Sequence, residues 1–161
     1  MEVVKNFLLA IPVPMWLKVI LASMIPFIEA RYAILFFTGF NIPFYQLFIL
    51  SIIGNMIPVP FIILLFRPIL DFMKKTKIFK NLASKLEKSA HKKADKVKKY
   101  EILGLLIFVA LPVPGTGAIS GAIAAAILNL RLKQALPAIF LGAVIATSIT
   151  SGALKLLISI F

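Results

Sequence analysis

Two apolar runs, residues 45–66 and 135–161, constrain this chain more than any other feature. Each reaches or exceeds the roughly 20 residues that carry a helix across a ~30 Å hydrocarbon layer. With 61% hydrophobic residues in a chain of 161, there is more apolar surface than a water-soluble domain of this size could bury, and the surplus is expected to face lipid. The first 25 residues do not read as a cleaved signal peptide, because Lys5 is the only early basic residue and Pro12, Pro14 and Lys18 interrupt the apolar run. They are expected to belong to the mature protein.

The charge is lopsided. Of the 18 Lys and Arg residues, twelve fall within residues 67–99, against three acids there, Asp71, Glu87 and Asp95. A basic block beside a membrane span is first a signal for the cytoplasmic side, and second a surface for anionic head groups. Nucleic acid is not expected as a partner, since no stacking aromatics or recognition motif accompany the lysines. Ile78, Leu82, Leu86 and Val97, with Ala83, Ala90 and Ala94, trace an apolar stripe consistent with an amphipathic helix, and His91, the single histidine, reads as a surface residue within it.

Shifting the chain by 88 residues superposes Ala22 on Ala110, Pro26 on Pro114, Ala30 on Ala118, Asn41 on Asn129, Gln46 on Gln134 and Gly54 on Gly142. Polar and punctuating residues match along with apolar ones, which points to a duplication. Each half then runs as a short apolar arm, a proline break, a second arm, a polar turn and a long helix. The expected division is a first repeat over 1–66, with its break near 26 and its span about 43–66; a basic cytoplasmic linker over 67–100; and a second repeat over 101–161, with its break at 112–117 and its span about 133–160. The arms 15–25 and 102–111 are each about half a bilayer long at ~1.5 Å per residue. They suit re-entrant hairpins with tips near mid-membrane, where irregular backbone needs protein or water around it. Full crossings kinked at proline are the competing reading. Hairpins would insert the halves upside down relative to each other and put both the linker and the Arg131/Lys133 turn inside, in keeping with the positive-inside tendency.

Two residue clusters carry possible chemistry. In the first break, Glu29 and Arg31 place a carboxylate and a guanidinium in an otherwise apolar stretch, where such groups usually face a bundle interior or a water path. Glu29 suits uptake and release of a coupling ion, and Arg31 suits an anion held in its planar fork; a purely structural ion pair is the alternative. In the second break, Pro112-Val113-Pro114-Gly115-Thr116-Gly117-Ala118 reads as a loop feeding a helix N-terminus, a cradle for phosphate or carboxylate, unless its glycines serve packing alone. Asn55 follows Gly54 and precedes Pro58-Val59-Pro60, where carbonyls lose their usual donors, and is a further candidate ligand. Thr147, Ser148 and Thr150 read as helix residues bonded to their own backbone or to a neighbouring helix.

The Pro26-x-x-Glu29-x-Arg31 break together with the Leu111-to-Ala118 string resembles the small multidrug export protein family, a distant branch of the DedA superfamily of membrane proteins. That resemblance implies two facing re-entrant hairpins and transport driven by a proton or sodium gradient, with no other cofactor. In the wider superfamily, members move lipids such as polyprenyl phosphates. The matching substrate-binding residues here are Arg31, Pro114, Gly115, Thr116 and Gly117, with Asn55 added from the reading above, and Glu29 is the ion-coupling group. Lipid-carrier members tend to have an arginine in the second hairpin, where this chain has no charge from 119 to 130.

The leading expectation is therefore an all-α, multi-pass cell-membrane transporter that flips a lipid phosphate. Export of small drug-like molecules is the alternative, and a bilayer-shaping scaffold a third. Enzymatic chemistry is not expected from one His, no Cys and six carboxylates. Membrane lipids and a second copy of the chain, packed through Gly/Ala faces, are the expected partners.

Overall fold

The computed structural model describes residues 12–26, 28–74, 94–113 and 115–160. The expected amphipathic stripe and His91 lie largely or wholly outside these residues. Among those described, the structure is all-helical: α1 (Met15–Met24), α2 (Glu29–Phe37), α3 (Phe44–Met56), α4 (Pro58–Lys74), α5 (Ala94–Ala110), α6 (Ala118–Ile127) and α7 (Leu132–Ile160).

Proline and left-handed residues set the boundaries. Pro26 forces Ile25 into extended backbone, which ends α1; Pro112 stands two residues beyond the end of α5. At the end of α6, the Leu130 N–H bonds to the Ala125 carbonyl and the Asn129 N–H to the Ala126 carbonyl, with Asn129 left-handed at φ +53°. This is a Schellman ending with Asn in the place usually taken by Gly. Asn41, 88 residues earlier, is also left-handed at φ +46°.

α3 starts at 44 and α7 at 132, against expected span starts of about 43 and 133. The first differs at its far end: only Ile57 interrupts the helix, and α4 continues to Lys74, eight residues into the expected linker. Likewise α5 begins at Ala94, well ahead of the expected arm. Residues 44–69 and 132–153 are long and apolar enough to cross a membrane, with 39% and 44% of their most apolar windows buried. Ile49, Ile53, Ile57, Phe61, Leu65 and Ile69 form an exposed stripe along α3 and α4, about 30 Å long at ~1.5 Å per residue. A lipid-facing helix needs such a stripe.

Packing follows a paired scheme. The first arm α1 lies on α3, and α5 lies on α7; α6 lies on α4, and α2 on α3 and α7. Both spans make their close approach at a glycine: a side chain at Gly54 would run into the Ile20 carbonyl, and one at Gly142 would come within 2.8 Å of the Leu106 carbonyl. Val59, Ile63, Leu105, Val109, Ala118, Ala122, Ala125, Ile139 and Ala143 make one core with Ala30, and Val19, Ala22, Ala33, Ile34, Phe37 and Leu47 a second.

Candidate functional site

The two breaks meet. Glu29 opens α2 in a left-handed conformation, φ +48°, with its N–H bonded to the Ile25 carbonyl at 3.1 Å. Holding an L residue there costs about 1–2 kcal/mol, and it aims the side chain across to the second break. The carboxylate lies directly against Gly117, so that a Cβ at that position would coincide with it. Gly117 is the residue before α6, and the site is therefore the positive end of that helix's dipole.

Arg31 completes the contact. Its Nη2 donates to Glu29 Oε2 at 2.6 Å, and its Nη1 donates to the carbonyls of Leu111 at 3.0 Å and Val113 at 3.3 Å. Both side chains are buried. Thr116 Oγ1 lies 2.7 Å from the Leu111 oxygen and 2.8 Å from the Val113 oxygen; its single proton serves one of them at a time. The Thr116 N–H also bonds to the Val113 carbonyl at 3.2 Å. Irregular backbone at the second break is thus satisfied by one guanidinium and one hydroxyl, a condition for placing it away from water.

Of the residues singled out in the sequence, Glu29, Arg31, Thr116 and Gly117 come together. The expected cradle of N–H groups for an outside anion is occupied at Gly117 by the protein's own carboxylate, and the break turns carbonyls toward Arg31. Gly115 is exposed and left-handed at φ +90°, with nothing near the place of a Cβ, so it serves the turn and not a close approach. Pro114 lies outside the described residues. Asn55 is buried on α3 with its Oδ1 unpartnered among the described residues. Backbone carbonyls of 111 and 113 as partners of Arg31 had no signal in the sequence, since any residue type supplies them. Arg67, which had read as part of the basic block, donates to the Leu130 carbonyl and fastens α4 to the turn after α6.

A family model described as "Putative small multi-drug export protein" matches residues 29–149, about three quarters of the chain, beginning at the carboxylate that closes the two breaks. No curated protein and no solved structure matches.

Proposed function

The chain belongs to the small multi-drug export protein family, and on that premise we propose that it exports small cationic molecules across the cell membrane in exchange for an inward-moving cation at Glu29. The contact between the two breaks is the gate. One observation carries this reading: Arg31 is held by two backbone carbonyls as well as by Glu29. A cation that neutralises Glu29 removes one of three partners and leaves the guanidinium anchored. The carboxylate is then free to leave Gly117 with its proton or its substrate, without stranding a buried arginine, an event that costs about 3–5 kcal/mol when one member of a buried pair is lost.

The charged character of this contact supports transport over a scaffold, for which a closed apolar contact would serve. Left-handed Asn41 and Asn129, and glycine approaches at 54 and 142, each 88 residues apart, support the duplication; the inverted pair of hairpins, with the linker and the Arg131 turn on the cytoplasmic side, is the arrangement proposed with it, on the distribution of charge. A second reading, flipping of a lipid phosphate as in the DedA superfamily, is favoured by one feature. The start of α6 already accepts an oxyanion, that of Glu29, beside Arg31.

Proteoliposomes with an imposed pH or sodium gradient separate these readings. Wild-type protein should accumulate a fluorescent lipophilic cation against its gradient, Glu29→Gln should not, and Arg31→Lys should retain part of the activity. Movement of a labelled polyprenyl phosphate without the cation would favour the second reading. Gradient-driven accumulation by Glu29→Gln at the wild-type rate would end the role of Glu29.

A further inference from the structure

Of the six buried polar or charged side chains besides Glu29 and Arg31 among the described residues, four fall in two pairs: Ser51 and Asn55, one turn apart on α3, and Thr147 and Ser151, one turn apart on α7. In each of them an oxygen has no hydrogen-bond partner: Ser51 Oγ, Asn55 Oδ1, Thr147 Oγ1 and Ser151 Oγ. The ordinary fate of a hydroxyl in a membrane helix is to bond to its own backbone one turn back. Ser23 does so to Val19 at 2.8 Å, Thr38 to Ile34 at 2.6 Å and Thr150 to Ala146 at 2.9 Å. Ser51, Thr147 and Ser151 do not, and an unmet buried polar group costs about 1–3 kcal/mol.

α3 and α7 are in contact, and the 88-residue register gives each of the four a counterpart in the other half. Their counterparts are Ile139 for Ser51, Ala143 for Asn55, Val59 for Thr147 and Ile63 for Ser151. All four counterparts are buried and belong to a single apolar core with Ala118, Ala122 and Ala125 of α6. A side chain at Gly121 would lie 3.5 Å from Ile139, which fixes that face against α6. In the first half, α2 holds the position that α6 holds in the second, and α2 packs on both α3 and α7. Where the four counterparts are hydrocarbon, the matching positions on α3 and α7, the two helices that α2 packs on, carry oxygen, and the apolar neighbours of α2 are Val19, Ala22 and Leu47. Pro58 and Pro60 add to this, since they remove the N–H groups that would bond to the Gly54 and Met56 carbonyls on either side of Asn55.

We propose that these four oxygens converge between α3 and α7, beside α2, as a binding site for a monovalent cation, Na⁺ in the first instance. Its donors are hydroxyl and amide oxygens, hard and neutral, and unpaired helix carbonyls beside a helix interruption are typical Na⁺ ligands in transporters. No carboxylate stands among the four, and among the described residues no cluster of three or more His, Cys, Asp or Glu could hold a metal ion. A divalent ion, which draws on carboxylates, is therefore disfavoured. An occupied site braces α2, the helix that carries Glu29 and Arg31. The site does not depend on the role given to Glu29.

Binding of radioactive Na⁺ to the purified full chain in detergent, at ionic strength held constant with choline, tests it. Wild-type protein should bind saturably with about one ion per chain, and equal concentrations of Mg²⁺ should not compete. Thr147→Val, which keeps side-chain shape, and Ser51→Ala should each weaken binding at least tenfold, and Ser51→Ile with Asn55→Ala, the residues of the other half, should abolish it. Glu29→Gln should leave binding unchanged even where it stops transport. Absence of saturable binding by the wild type would overturn the site, as would unaltered affinity in a monodisperse Thr147→Val protein. Loss of binding in Glu29→Gln alone would move the ion to the break cluster and overturn it equally.

Discussion

Glu29 sits in a backbone conformation that a side chain disfavours, pressed against a glycine 88 positions away. Its hold depends on that glycine staying bare. Gly117→Ala puts a methyl group where the carboxylate lies, and the expected loss is about 1–3 kcal/mol of stability, the usual range for overpacking, measured by thermal melting in detergent. The loss should shrink in a Glu29→Ala background, where the collision is gone; equal losses in both backgrounds would mean that the two residues do not touch. Gly115→Ala has open space and suffers only its left-handed φ, about 1–2 kcal/mol, and should be indifferent to Glu29. The two ionisable residues were legible in the sequence because charge is rare in apolar runs. Their destination was not, since Arg31 bonds to carbonyls 80 and 82 residues away, and a carbonyl has no residue type. Ser51, Thr147 and Ser151 were passed over for the opposite reason. Their residue type has a common, harmless use, which Ser23 and Thr150 follow and they do not.

Helix ends were the most readable part of the elements, for proline and asparagine act locally. Pro26 and Pro112, the prolines of the two breaks, stand just past the ends of α1 and α5, Pro43 just precedes α3, and Asn129 closes α6. Lengths were less readable: Pro58 and Pro60 near the middle of the first span suggest a break, yet Ile57 keeps helical backbone and the helix resumes at once. A proline at the first turn of a new segment loses little, as its missing N–H would have had only the preceding turn to bond. Packing between elements gives a contrast that a melting experiment can read. Gly54→Ala and Gly142→Ala press a methyl onto neighbouring backbone and should destabilise by about 1–3 kcal/mol. Gly104→Ala and Gly152→Ala meet nothing within 4 Å and should stabilise by up to about 1 kcal/mol through helix propensity. The same sign at all four positions would contradict the close approach of α1 to α3 and of α5 to α7.

The whole molecule pairs two halves whose spans are wrapped by each other's second arms, α4 on α6 and α7 on α2. A chain without cysteine lends itself to placing single cysteines and labelling from each side. Under the inverted arrangement, cysteines at Asn41 should react from outside, and those at Lys88 and Arg131 from the cytoplasm; Asn41 and Arg131 labelled from one face, with Lys88 on the other, would mean full crossings in place of hairpins. The central claim, that the two breaks meet at Glu29 and Gly117, has a direct test in the same background. In the double variant Glu29→Cys with Gly117→Cys, carrying a protease site inserted within residues 75–93, mild oxidation in native membranes should join the halves, so that they migrate together after cleavage and separate on reduction. Halves that separate without reductant, while a control pair across α5 and α7 stays joined, would show that the breaks do not meet.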